Sequence, residues 1–312
     1  MASELIDVLR RLLGDPPVSN AMETVDDWWT THQRTVQPFA STIGRAFAAG
    51  FAADRVGFAF ASGYEEALAS LVPSLTGVKA ALCATERGSG HPRDMQTRLE
   101  EVEDRFRILG EKNFVTLADR AEELLVVASI GLDDHDRNRL RVVRLPANRD
   151  GLRIETLPPG PFVPEVPHGK LILDGVRVER DEVLEGDGYD DYLKPFRTVE
   201  DVHVHAAIIG YLIQVGRRSG WSRQPIEDLA ALASAIFPLG LVEPLDAAVH
   251  VTLGGVIRRF RELLGGLDWS AVEANESTRF ERDKALLGIA GKVRAARLDT
   301  AWARLGRVSM PV

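Results

Sequence analysis

Three groups of residues in this 312-residue chain carry side chains suited to chemistry. The first is Cys83-Ala84-Thr85-Glu86-Arg87-Gly88-Ser89-Gly90, a turn with a hydroxyl, a carboxylate and two glycines, Gly88 and Gly90. The second is Phe114-Val115-Thr116, an aromatic residue followed two positions on by a hydroxyl. The third is a pair of glutamates. Glu200 lies four and seven residues before Val204 and Ala207, so a helix turns it toward an apolar face. A carboxylate desolvated in that way gains the raised pKa needed to take a proton from a weakly acidic carbon. Glu276, in Asn275-Glu276-Ser277-Thr278, is the other candidate. Each has a plainer role. Thr198 with Asp201 three residues on suits a helix cap, which would put Glu200 in a first turn where any acid is favoured. Glu276 suits a solvated first-turn acid. His203 and His205 form an H-x-H pair whose rings splay on a helix, so no metal site is expected.

The elements that must position these groups fall into three blocks, an α+β chain. Residues 1–78 read as helical. Leu5, Leu9, Leu12 and Leu13 recur at helical spacing before Pro16-Pro17, a second helix spans Thr24 to Phe39, and a third stretch spans Ser41 to Val72, where Gly50, Gly57 and Gly63 either weaken the helix or permit close packing and a break is expected near Gly63. Residues 79–197 read as short strands around Phe106–Ile108, Phe114, Leu124–Ala128, Leu140–Leu145 and Leu171–Val178. With no helices between them, they predict an antiparallel barrel or sandwich, and Leu124–Ala128 reads as a fully buried strand. Residues 198–312 predict a four-helix bundle, with Val204, Ala207, Ile208, Tyr211 and Val215 on one face of its first helix and a last helix from about Arg279 to Leu305.

Four segments in this order and at this spacing resemble the acyl-CoA dehydrogenase family. Thr85-Glu86-Arg87-Gly88-Ser89-Gly90 is similar to its T-E-P-x-A-G-S-D loop. Leu109-Gly110-Glu111-Lys112-Asn113-Phe114-Val115-Thr116 is similar to its G-x-K-x-[WF]-I-T-N strand. Ala121–Ala128 and Leu173–Leu184 match the strands that follow. The resemblance implies an N-terminal helical domain, here shortened, a middle β domain and a C-terminal four-helix bundle. It implies FAD, with Thr85 on the pyrimidine side of the ring, Thr116 near N5, Phe114 packed on the ring and Gly88 and Gly90 beside the ligand. It also implies oxidation of an acyl-CoA thioester in fatty acid metabolism. The α-proton goes to Glu200 or Glu276, the two positions the family uses, and the β-hydride to flavin N5. A homo-dimer or tetramer, or a hetero-oligomer with a related subunit, and an electron-transfer flavoprotein as acceptor follow from the same resemblance. The departures are Arg87 for proline, His91-Pro92 for Ser-Asp and Leu117 for asparagine. Arg217-Arg218-Ser219-Gly220-Trp221 and Gly265-Gly266-Leu267-Asp268 match the family's R-x-x-F-G and G-G-x-G grip on the dinucleotide only in part. Two alternatives therefore stand beside the enzyme: a non-catalytic or half-site subunit of a hetero-oligomeric dehydrogenase, and a flavin monooxygenase of the same fold.

Composition narrows the rest. Apolar residues make up 45% and charged residues 27%, with a formal charge of -8. Scattered basic residues in an acidic chain argue against nucleic acid. One cysteine, Cys83, permits no intrachain disulfide and no multi-thiolate metal site. No apolar run reaches the ~20 residues that span a bilayer, and the N-terminus lacks a signal peptide pattern, so a cytoplasmic protein is expected.

Overall fold

A computed structural model describes residues 2–17, 21–87 and 91–306. The chain divides into two compact units. One gathers Met1–Ser70, Pro161–Glu165 and Thr198–Val312, and the other Leu71–Gly160 and Val166–Arg197.

The second unit is a curled seven-stranded sheet. Its strands are β1 (Ala80–Cys83), β2 (Arg98–Val102), β3 (Arg105–Thr116), β4 (Glu123–Leu132), β5 (Asn138–Pro146), β6 (Leu152–Thr156) and β7 (His168–Val178). Their order is β1-β4-β2-β3-β7-β6, with β5 on the other edge of β4. Most pairs are antiparallel, while β1 and β2 run parallel to β4. Leu124 to Ala128 are all fully buried, because β4 is paired on both edges and packed on both faces. Elsewhere inward residues alternate along the pleat: Leu171, Leu173, Val176 and Val178 of β7 meet Leu99, Ile108 and Val115. The sequence did not announce β1, β2 and β6. They are four or five residues long, and β2 (Arg-Leu-Glu-Glu-Val) and β6 (Leu-Arg-Ile-Glu-Thr) are dominated by polar and charged residues.

In the first unit, helices from both ends of the chain share one core. They are α1 (Ala2–Gly14), α2 (Val25–Val36), α3 (Thr42–Ala52), α4 (Val56–Leu71), α5 (Lys194–Arg218), α6 (Arg223–Ile236), α7 (Ala247–Leu264), α8 (Ala274–Asp283) and α9 (Gly291–Leu305). A Thr24–Asp27 capping box starts α2, and the Ser41 hydroxyl caps α3. The break expected near Gly63 falls instead at Ala53–Arg55. There the Asp54 carboxylate accepts the Met22 N–H at 3.0 Å and Arg55 donates to the Met22 carbonyl at 2.7 Å. Gly63 serves a different purpose inside α4: a Cβ there would stand 2.6 Å from Val204 Cα. Gly50 is tighter still, with the Ala207 carbonyl oxygen 1.9 Å from where a Cβ would sit. These two glycines let α3 and α4 lie against the backbone of α5. Every residue from Asp201 to Gly216 is buried, so α5 is the axis of this unit and not the one-sided amphipath its spacing suggested. The single last helix expected from Arg279 is two, α8 and α9, separated by a turn at Lys284–Gly288 and a left-handed Ala290 (φ 61°).

Gly50→Ala is expected to destabilise the protein by about 1–3 kcal/mol, because overpacking forces the α3–α5 backbones apart. Gly14→Ala, at the open end of α1 with nothing within 4 Å of its Cβ position, is expected to change stability by less than about 0.5 kcal/mol. Thermal melts of the two variants provide the comparison.

Candidate functional site

The two motif segments of the sheet unit meet. The Asn113 N–H donates to the Thr85 carbonyl at 2.8 Å, which ties the turn after β1 to the end of β3. Behind that contact lies a buried ion pair. Lys112 Nζ, fully buried, donates to Glu86 Oε1 at 2.7 Å. The remaining capacity of the carboxylate is filled by the N–H groups of Thr97 (3.0 Å) and Gln96 (2.6 Å). Burial opposes the charge on Glu86, but Lys112 and these N–H donors outweigh it and hold the carboxyl below its ordinary range. Burial likewise pulls the Lys112 ammonium down, and Glu86 holds it up. Thr85 is thereby fixed with its side chain exposed.

The strand end is distorted in a particular way. The pairing of β3 with β7 shifts register between Lys112 and Val115, a bulge. Phe114 sits on it with φ 53° and its side chain 70% exposed, and Leu117 follows with φ 59°. A bulky residue in the left-handed region costs about 1–2 kcal/mol, and an exposed phenyl ring forgoes its burial. Thr116, half-buried, pairs with His168 at the end of the ladder. The turn carrying Thr85 is thus tied to the end of β3, which carries Phe114 and Thr116, so a hydroxyl, an exposed ring and a second hydroxyl lie on two joined segments. That set fits the edge and face of a flat aromatic cofactor. Gly88 and Gly90 lie outside the described residues. Cys83, in the core behind the turn, has its thiol pushed up to about 12 by burial, so it is an inert packing group.

The two candidate glutamates are on the helical unit. Glu276 is on α8 and is buried. It accepts from Arg218 Nη2 at 2.6 Å and from the Tyr211 hydroxyl at 3.3 Å. It is therefore neither a solvated acid nor in the loop before the last helix. That connecting segment, Lys284–Ala290, has no carboxylate. Glu200 is half-buried on α5, which begins at Lys194 after a π turn. Glu200 is thus beyond the first turn, and Thr198 caps nothing: its hydroxyl accepts from Arg297 Nη1 at 2.9 Å.

The carboxylate beside it, Asp201, was passed over in sequence as a capping partner. It is buried and clamped by Arg294 and Arg297 of α9. Burial opposes its charge, yet the two guanidiniums hold its pKa below the ordinary value. The signal was the i, i+3 arginine pair on α9. His203 and His205 serve the core separately: His203 bonds Thr42 Oγ1 (2.9 Å) and the Val199 carbonyl, and His205 bonds the Asp201 carbonyl (2.6 Å). Burial lowers both, His205 to about 4.

The partial dinucleotide-gripping motifs are spent on structure. Arg217 Nη1 donates to the Leu12 and Asp15 carbonyls, each at 2.7 Å, and closes the end of α1. Arg218 holds Glu276. Gly265 ends α7, and Asp268 caps the turn Trp269–Ala271. Thr85, Phe114 and Thr116 are of types that suit a flavin's isoalloxazine, whereas Arg217, Arg218, Gly265 and Asp268 are taken up by contacts within the helical unit.

No protein-family profile matches the sequence, and no match is found among curated proteins. Solved structures do match. PigA, in a structure with FAD and proline, superposes with a TM-score of 0.68 at 12% identity, covering 98% of this chain and 97% of that one. Butyryl-CoA dehydrogenase from Megasphaera elsdenii gives 0.68 at 14% identity over 92% and 91%. The prolyl acyl carrier protein oxidase AnaB gives 0.66 at 13% over 96% and 97%. The chain has the acyl-CoA dehydrogenase fold.

Lys112→Met is expected to cost about 3–5 kcal/mol at pH 7, because it strands a buried carboxylate. Without its partner, the folded-state pKa of Glu86 rises above the unfolded value. Protonation then favours the folded state, and the penalty shrinks as the pH falls toward ~4. Denaturant melts of variant and wild type across that pH range test the sign.

Proposed function

We propose that the chain is a flavin-dependent oxidoreductase acting on an acyl thioester. The observation that carries this reading is Phe114, an exposed ring held in a left-handed conformation on a strand bulge, beside Thr85 and Thr116. A soluble sheet gains nothing by presenting a strained aromatic to water, and it gains a great deal by stacking it on a flat cofactor. The fold supports the same reading, since its structural neighbours include PigA with FAD and proline, a butyryl-CoA dehydrogenase and a prolyl acyl carrier protein oxidase.

A bound flavin would supply the two-electron acceptor that no side chain here provides. The chain's own residues bind and orient. Phe114 gives the stacking face. The hydroxyls of Thr85 and Thr116 give hydrogen bonds at the polar edge of the ring, and the Glu86–Lys112 pair keeps both segments in register. For the proton, Glu200 is the better assignment. Arg218 and Tyr211 occupy Glu276, and a carboxylate held by a guanidinium is a poor base.

A second reading, a subunit that completes its site only with a related chain, is supported by the internal use of Arg217, Arg218, Gly265 and Asp268. In the first reading the purified protein, or the protein reconstituted with FAD, carries flavin and oxidises acyl thioesters. In the second it takes up flavin only on co-expression with that partner.

Phe114→Ala is expected to weaken flavin affinity by about tenfold, the loss of one stacking contact. Glu200→Gln is expected to retain flavin but reduce thioester oxidation by about 10²-fold or more, while Glu276→Gln mainly lowers stability. Flavin absorbance after gel filtration, with single-turnover bleaching by a panel of acyl thioesters, reads both. A protein that binds no flavin in either setting contradicts the proposal. An active Glu200→Gln contradicts the base.

A further inference from the structure

We infer that the cleft between α7 and α9 is a binding site for an organic phosphate, a role separate from the ring site on the sheet. The cleft has a volume of about 370 Å³ and lies wholly within the helical unit. Arg258 and Arg261 of α7 and Arg294 and Arg297 of α9 line it, with Glu262 as its acidic member. Two of the four arginines are immobilised from behind. Asp201, itself buried, holds Arg294 through Oδ1 at 2.6 Å and Arg297 through Oδ2. Arg294 also donates to the Leu287 (3.2 Å) and Ile289 (2.7 Å) carbonyls, and Arg297 to Thr198 Oγ1.

The donor count shows what is left over. Arg297 Nε is buried and has no hydrogen-bond partner. Arg258 makes no hydrogen bond or ion pair among the described residues, and Arg261 makes one long bond, 3.3 Å, to the Leu287 carbonyl. Four positive charges face two negative ones, Asp201 and Glu262, so the cleft retains a surplus of about +2 even though the whole chain carries -8. Arg294 and Arg297 are drawn in by Asp201, whereas Arg258 and Arg261 are exposed and make between them one long hydrogen bond, so an anion bound in the cleft would offset charge that nothing else there offsets. Guanidiniums, with their fixed forks of N–H donors, match the oxygens of phosphate better than they match a point anion. The floor is apolar, formed by Leu253, Ile257 and Leu298, with Leu298 packed closely over Gly254 and open space at Gly291. The size and this floor fit a phosphate carrying a short apolar arm, and they exclude a whole dinucleotide.

The chemistry is shared by two sources, the phosphates of a coenzyme A-type thioester and the pyrophosphate of a flavin dinucleotide. Calorimetric titration of the full chain with inorganic pyrophosphate tests the site without either. One equivalent is expected to bind, and Arg258→Ala/Arg261→Ala to weaken it at least about tenfold, for two lost charge-assisted contacts. Arg258→Ala alone removes an exposed side chain that makes no hydrogen bond or ion pair among the described residues, and it is expected to show part of the loss with an unchanged melting temperature. Glu262→Gln, which removes the acidic member, is expected to tighten binding. Titrations of coenzyme A and FAD in wild type and double variant then identify the source as the ligand whose affinity falls. Pyrophosphate that does not bind, or that binds wild type and double variant equally, overturns the inference. A flavin-free protein that still binds pyrophosphate here would leave it standing while the proposed oxidoreductase function fails.

Discussion

The junction between the Thr85 turn and the end of β3 depends on one buried ion pair. Lys112 has no contact with water and Glu86 has almost none, so the ammonium is held charged by the carboxylate 2.7 Å away, and the carboxylate by that ammonium and two backbone N–H donors. A pair of this kind adds little to net stability, since desolvation consumes most of its attraction. What it contributes is position. Glu86 belongs to the turn after β1 and Lys112 to β3, and the carboxylate also ties down the N–H groups of Gln96 and Thr97 before β2. Three segments distant in sequence are locked to one carboxylate. The bulge that follows Lys112 then throws Phe114 outward, and the Asn113–Thr85 hydrogen bond aligns the turn with it.

The helical unit uses buried charge in the same way. Asp201 is consumed by two arginines of α9 and Glu276 by Arg218 and Tyr211. These pairs fix α9 and α8 on α5, whose flanks are shaped for close approach by Gly50 and Gly63. Buried carboxylates are therefore common here without being bases. The arginines hold Asp201 and Glu276 in place as structural acids. The same pairing holds Arg294 and Arg297 rigid at the mouth of the α7–α9 cleft.

Much of this was legible in the amino-acid sequence. The α+β order, the fully buried run Leu124–Ala128 and the nearness of the Thr85 turn to Phe114–Thr116 all followed from local patterns and from motif resemblance. What escaped notice depends on partners far apart in the chain. Glu86 and Lys112 sat inside the quoted motifs with no role, because a side chain pair 26 residues apart leaves no periodic trace. Gly50 and Gly63 read from sequence either as helix weakeners or as sites of close packing, since local propensity penalises glycine and does not say which backbone lies against it. Glu276 looked solvated because its first-turn position predicts exposure, and only the arrival of Arg218 from α5 reverses that. The strands β2 and β6 are short and charged, which hides their alternation.

The central claim is that the edge carrying Thr85, Phe114 and Thr116 receives an isoalloxazine ring. Amide hydrogen exchange of the full chain with and without FAD tests it most directly. The account predicts slowed exchange at residues 84–87 and 113–117 on flavin binding. Flavin that binds while these residues exchange unchanged would contradict it.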